Sequence, residues 1–374
     1  MKKKPARTIA DHFADLPDPR IERTKRHQLI DILTISLCAV ISGADTFEDI
    51  ELYGKSKRAW LSTFLELPNG IPSHDTFNRV LARLDTKAFQ ECFIAWIASI
   101  AEVSGGELIA LDGKTVRGSF DRASGKAAIH MVSAWATRNR LVLGQVKVSD
   151  KSNEITAIPE LLRMLEISGC IVSIDAMGCQ TKIAGQIVEQ GADYVLGLKG
   201  NQESLHEVVQ EVFDDVDERD YAGVRYEYYE TKEHGHGREE RRRYWTLSAH
   251  EWIDDIEMWA GLRTIVQVES ERTVEGKTSR EWRYYISSLG LEVKPIAEAI
   301  RNHWGIENSV HWILDVAFRE DDSRVRSRAG ETLAVLRHIA LNLLKREKTL
   351  KASVRAKRNK CGWDDTYLLR VLAS

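Results

Sequence analysis

The sequence predicts a mixed α/β protein: a sheet with helices on its faces, preceded by a helical region and interrupted by a β-rich stretch. Three observations predict it. Apolar residues between about 28 and 103 recur at helical spacing. After Ser104-Gly105-Gly106 the period changes to two, the spacing of a strand. From there three strand-like runs are followed by alternating helices and strands. A length of 374 residues allows two or three domains, and 43% hydrophobic residues are enough to build cores, which excludes general disorder.

Taken in order, residues 1–27 form a polar leader rich in turn residues. Residues 28–104 read as a helical N-terminal domain with a possible DNA-end-binding role. Ile30, Leu33, Leu37 and Val40 repeat at helix spacing. The apolar run Leu29–Ile41 is too short to span a bilayer and contains Asp31, so it reads as a buried helix. Further on, Ser73 fits an N-cap with Asp75 in the first turn. Phe77, Val80, Leu81 and Leu84 form the inner face, and Asn78, Arg79 and Arg83 stay outside. A short helix after a tight turn, with such outer residues, fits a recognition helix in a helix-turn-helix. An ordinary small helix has the same pattern.

Residues 105–216 hold the first part of the sheet. Leu108 to Asp112 alternate in a strand. Two more strands follow, joined by a turn near Arg138-Asn139. Then come a helix (155–166), a buried strand ending at Asp175, a helix stopped by Gly191, a strand at 194–201 and a helix from Gln202. This is the element order of a ribonuclease-H-like core. Residues 217–289 read as a mostly β insertion with turn signals at His234-Gly235-His236-Gly237 and Glu275-Gly276-Lys277. The two histidines have no companion ligands at metal spacing, so an exposed loop is the better reading. Residues 290–345 complete the core, with Pro295 opening the helix that carries Glu307. Residues 346–374 read as a basic tail.

The net charge is −3, so nucleic-acid binding would rest on local patches rather than on a whole-protein field. The basic runs lie at residues 1–7 and 345–360, and each reads equally as a solvated face or a polyanion contact. The five cysteines are odd in number and scattered, which argues against a disulfide framework and fits a reducing cytoplasm. No apolar core follows the N-terminal lysines, so no signal peptide is expected, and no membrane partner.

Three acids stand out. Asp112 ends the first core strand, though Asp112-Gly113 alone equally suits a hairpin turn. Asp175 stands where an apolar strand meets a loop, the end of open α/β sheets at which ligands gather, and alone it equally suits a helix cap. Glu307 lies beside the apolar stripe Ile306, Val310, Ile313 and Ala317, on a face shared with His303 and His311. A carboxylate beside buried surface needs a proton, a cation or a metal; a local salt bridge is the plainer answer. If the two strands are neighbours, Asp112 and Asp175 face one gap, which Glu307 closes from a helix laid on the sheet. Oxygen ligands suit Mg²⁺ or Mn²⁺, and two such ions serve phosphodiester chemistry. Asp315, Asp321 and Asp322 are further acids, for which ion pairs with Arg319, Arg324 and Arg326 are the simpler account.

The stretches 111–119 (LDGKTVRGS), 174–180 (IDAMGCQ), 194–202 (YVLGLKGNQ) and 303–324 (HWGIENSVHWILDVAFREDDSR) resemble the H-repeat-associated insertion-sequence transposases of the DDE superfamily. The resemblance covers nearly the whole chain. It implies a ribonuclease-H-like catalytic domain with an inserted β subdomain, and Asp112, Asp175 and Glu307 as the DDE triad and metal ligands. It also implies Mg²⁺, with Mn²⁺ as the alternative, action on double-stranded DNA at transposon ends and target, and a homodimer on DNA. A cytoplasmic, nucleoid-associated protein is expected. Related transposases carry Tyr-x2-Arg-x3-Glu-x6-Lys around the glutamate; here Ile300, His303 and Leu314 hold those places, with His303 offered in the arginine's stead. Lys199 and Asn201 are candidate DNA-backbone contacts by position, or a plain turn. The expected activity is DNA cleavage with strand transfer. The rivals are a nuclease on the same core that never joins strands, and a DNA-binding protein whose catalysis has decayed.

Overall fold

A computed structural model describes residues 8–101, 105–120, 128–149, 153–235 and 237–374. The basic run 1–7, Ser104 and His236, each singled out above, lie outside the described residues. The N-terminal region is helical: α1 (Ile9–Phe13), α2 (Leu29–Ile41), α3 (Phe47–Ser56), α4 (Arg58–Leu61), α5 (His74–Leu81) and α6 (Thr86–Ile100). Thr8 with Asp11 and Thr46 with Asp49 form capping boxes at α1 and α3, satisfying backbone N–H groups that the first turn leaves open. The leader docks through the buried Phe13 and Leu16. Asp31 on α2 is buried and accepts the Leu67 N–H at 3.1 Å.

Ser73 caps α5, and Phe77, Val80 and Leu81 are buried while Asn78, Arg79 and Arg83 are exposed. The tight turn expected before α5 is not there. Residues 62–73 form a long connection from α4, whereas a helix-turn-helix joins its helices in three or four residues. The α3–α5 contact is instead pinned by His74, whose N–H and ring Nδ1 lie 2.7 and 2.8 Å from Glu51.

The sheet begins with β1 (Leu108–Val116), β2 (Ile129–Ala136) and β3 (Leu141–Lys147). It continues through α7 (Glu154–Met164), β4 (Ile171–Ile174), α8 (Thr181–Glu189), β5 (Asp193–Leu198) and α9 (Glu203–Glu218). Then come β6 (Tyr226–Gly235), β7 (Arg238–Ser248), β8 (Thr264–Val274) and β9 (Lys277–Ser287). The strands form one sheet in the order β3-β2-β1-β4-β5-β9-β8-β7-β6. β4 runs parallel to both β1 and β5, and the other neighbours are antiparallel. The first five strands have the 3-2-1-4-5 order of a ribonuclease-H-like core. The β-rich stretch does not form a separate layer; β9 pairs with β5 and the hairpins extend the same sheet.

The last helices are α10 (Val293–His303), α11 (Trp312–Phe318), α12 (Ser327–Arg346), α13 (Val354–Trp363) and α14 (Asp365–Leu372). Pro295 is the third residue of α10, still within the first turn, where a missing N–H breaks no helix bond. Leu108 on β1 and Val195 on β5 form a small core with Val293, Ile296, Ala297 and Ile300 of α10, so α10 covers one face of the sheet. The larger core, on the other side, joins α7, α8 and α9 to the N-terminal helices through α12. Asn342 of α12 bonds both backbone groups of Val142, which ties edge strand β3 to this core.

Residues 346–374 are folded rather than a basic tail. Lys357 and Arg358 are buried because helix ends offer them carbonyls. Lys357 donates to Leu344 at 2.9 Å, and Arg358 donates to Val40 at the end of α2 and to Ala317 at the end of α11. The guanidinium also lies 4.2 Å from the Phe318 ring centroid. Both charges serve internal packing.

Candidate active site

Each of the three acids comes from a different element. Asp112 lies inside β1, opposite Ser133, rather than at its end, and alternation puts it on the face of Leu108, which packs against α10. Leu111 pairs with Ile174 in the parallel β1–β4 ladder, so Asp112 and Asp175 are the next residues up on neighbouring strands. Asp175 leaves the strand as the cap of a short 3₁₀ turn and accepts the Met177 N–H at 3.1 Å. Gly197 on β5 makes this possible: a Cβ there would stand 3.0 Å from the Ala176 nitrogen and 3.3 Å from the Asp175 carbonyl carbon. Asn201 fastens the same loop, donating to the Ala176 carbonyl at 2.6 Å.

Glu307 does not sit on an unbroken helix from Pro295. The helix stops at His303, and Glu307–His311 form a π-turn, with the Trp312 N–H reaching the Glu307 carbonyl. Gly305, a weak helix former, lies at the break, and single π-turns often mark functional positions. Val310 and Leu314 stay buried beneath it while Glu307 projects outward, more than half exposed.

Asp112, Asp175, Glu307, His303 and Lys199 line one cavity of about 230 Å³. Asp112, Glu307 and His311 each bring one ligand atom to within 4.8 Å of the others. Asp175 faces the cavity from the next strand, outside that tight group. Burial pushes the Asp112 carboxyl up to about 6, with the Asp175 and Glu154 charges adding to the rise and His311 opposing it. Burial and Glu154 raise Asp175 as well. Crowded oxygen donors whose negative charge is unfavourable by itself are what a hard divalent cation relieves, so these residues fit one.

Two contributors were not read from the sequence. Glu154, the first residue of α7, accepts or shares a proton with His130 Nε2 at 2.6 Å, just beyond Asp112. Gly113 leaves room for it, since a Cβ there would lie 2.1 Å from Glu154 Oε1. Its only signal is an acid in a first helical turn, which the helix dipole explains by itself. His311 shares Glu307's helix face in the sequence, but nothing there gives its role.

His303 lies 3.0 Å from Ser173 Oγ on β4, and burial pushes its imidazole down to about 4. It is a neutral strut between α10 and the sheet, not a cation in place of the arginine. Asp315, Asp321 and Asp322 are in ion pairs, but Lys114 is the main partner. Its Nζ lies 2.7 Å from Asp315, 3.2 Å from Asp321 and 3.5 Å from Glu320. Arg319 pairs with Asp322 at 3.1 Å.

The strand order and the acidic cavity together define a ribonuclease-H-like protein with a cation-compatible site. Residues 104–343 match the family model for the transposase DDE domain, and residues 10–97 match the DDE_Tnp_1-associated model. The chain belongs to the DDE transposase family. It is 43% identical over 372 residues to an Escherichia coli protein named "Putative transposase YncI", across 98% of this chain and 95% of that one. It is 42% identical over 371 residues to the "H repeat-associated putative transposase YhhI" of Escherichia coli, across 98% and 97%. A piggyBac transposase synaptic complex with hairpin DNA aligns over 98% of this chain and 77% of its own, at TM-score 0.45 and 11% identity. Among the described residues no helix is long and apolar enough to cross a membrane.

Proposed function

We propose that this insertion-sequence transposase cuts and joins DNA with Asp112, Asp175 and Glu307 as its catalytic triad and metal ligands. The observation that carries the reading is convergence: acids from β1, from the end of β4 and from the π-turn line one cavity. Asp112, Asp175 and Glu307 would hold Mg²⁺, with Mn²⁺ as a substitute, and His311 stands beside them. A bound divalent ion would supply Lewis-acid activation of the attacking water or 3′-hydroxyl and charge stabilisation of the departing oxygen. The protein's part is rigid placement: the parallel ladder fixes the two aspartates, and the buried Val310 and Leu314 fix the turn under Glu307. Lys199, exposed at the cavity rim, offers a cation to the DNA backbone. Asn201 acts through the Asp175 loop, and His303 through the sheet. Asn78, Arg79 and Arg83 on α5 offer a second exposed contact. The partners are double-stranded transposon ends and target DNA, engaged by a homodimer in the nucleoid of the cytoplasm.

The test is cleavage of transposon-end DNA, with pre-cut ends supplied separately to read strand transfer. Asp112→Ala, Asp175→Ala and Glu307→Ala should each abolish Mg²⁺-dependent cleavage while circular dichroism stays unchanged. Full activity in any one of them removes that residue from the triad. Cleavage without joining of pre-cut ends would make the protein a nuclease.

A further inference from the structure

A second cavity, about 680 Å³, flanks the helical segment that carries Glu307. It opens between the β2–β3 turn at Arg140, the π-turn at Asn308 and Ser309, and the end of α12 with the segment beyond it. Its charges are unbalanced. Arg140, Lys348 and Lys351 are exposed and have no ion-pair partner among the described residues. The acid in its lining, Glu347, is turned to internal use: it is buried and accepts the Tyr367 hydroxyl at 2.7 Å and the Thr349 N–H at 2.7 Å. In a chain of net charge −3, three uncompensated cations around one hollow call for an anion.

The floor of the cavity reaches the catalytic turn. Lys345 Nζ donates to the Ser309 carbonyl at 2.6 Å and lies 4.0 Å from the Trp135 ring centroid. A π-turn leaves backbone carbonyls short of partners, and this ammonium supplies one. Burial pushes Lys345 down to about 7, with Arg140 and Lys348 adding to the fall, so an anion nearby would keep it charged.

We propose that this cavity docks the phosphate backbone of DNA, and that the docked strand braces the π-turn bearing Glu307 through Lys345. The inference rests on the transposase reading and extends it to a surface outside the carboxylate cavity. Arg140, Lys348 and Lys351 meet phosphates; Lys345 relays the contact to Ser309, two residues from Glu307. Contacts of this kind carry no sequence information, so they strengthen binding to any duplex alike.

The test measures binding of the full chain, by fluorescence anisotropy across a KCl series. The probes are a labelled duplex from the DNA flanking the gene and a scrambled duplex of equal length. Each lost phosphate contact flattens the slope of log K against log salt by about 0.9. The combined variant Arg140→Ala, Lys348→Ala, Lys351→Ala should therefore lose roughly 2–3 of that slope and bind both duplexes more weakly. These side chains are exposed, so the fold is not at stake. Unchanged affinity and slope in the variant, with tight wild-type binding, overturns the docking site alone. Failure of the wild type to bind either duplex overturns the transposase reading and this inference with it.

Discussion

His311 Nδ1 lies 2.9 Å from Glu307 Oε2 and 3.5 Å from Asp112 Oδ2, so one imidazole touches two acids that come from elements almost two hundred residues apart. The ring is buried and its Nε2 has no partner among the described residues. His311 thus aims the Glu307 carboxylate at Asp112 and holds it there. Partners of this kind typically change metal affinity ten- to a hundred-fold when removed. His311→Phe should weaken Mn²⁺ binding by about that factor in calorimetric titration, and His311→Gln, which keeps a donor, by less. Equal affinity in His311→Phe would show that Glu307 needs no such guide.

Burial of the Asp112 carboxyl costs the protein stability in a predictable way. Asp112 is held up at about 6, above its unfolded value near 4. The folded state therefore binds more protons between those values, so this group gives stability as pH falls through 6 and costs stability at pH 7. About two pH units correspond to at most about 3 kcal/mol. Asp112→Asn should raise the melting temperature of metal-free protein at pH 7 by about 1–4 °C. It should also remove most of the thermal shift that Mn²⁺ gives the wild type. A variant that melts lower than wild type would contradict the burial argument.

Much of this arrangement was legible in the sequence, because its signals are local. The change of period after residue 104 and the strand–helix alternation give the sheet, and an acid just past an apolar strand gives Asp175; Asp112 was expected at a strand end but lies inside β1, which runs on to Val116. The π-turn was not legible, since one extra residue per turn barely disturbs a helical apolar pattern around Val310 and Leu314. Arg358 and Lys357 looked solvated because a run of charge says nothing about the helix ends it will meet. Lys114 shows the same limit in its clearest form: its acidic partners lie some two hundred residues away. The long connection before α5 was hidden by a helix whose own residues, Ser73 through Leu84, fit the expected pattern throughout.

Lys114 links the strand of Asp112 to the segment that follows Glu307. Its ammonium is almost fully covered and faces Asp315, Glu320 and Asp321 together. Glu320 is itself buried, and among the described residues its other cation is Arg337, at 3.6 Å. Breaking such a group by removing one partner strands a buried charge and costs about 3–5 kcal/mol. Lys114→Met should lower unfolding stability by that amount in urea titration. Loss of less than about 1 kcal/mol, the range of exposed pairs, would mean that water reaches the cluster.

One buried and one half-buried imidazole set the acid limit. His338, on α12, and His303, between α10 and β4, are both pushed down to about 4 by burial. Their unfolded value is near 6.5, so between pH 6.5 and 4 the unfolded chain binds protons that the folded one refuses. Their contribution is complete above 6.5 and is lost progressively as pH falls toward 4. For His338, the more deeply buried, the loss approaches about 3 kcal/mol. The slope should be visible as a falling urea midpoint between pH 6.5 and 4.5, against the opposite trend from Asp112, which saturates near pH 4. His338→Phe, which keeps the ring volume, should flatten the fall, and Asp112→Asn should steepen it. A urea midpoint that stays level in wild type, and unchanged in both variants, would mean these groups titrate freely in the folded protein.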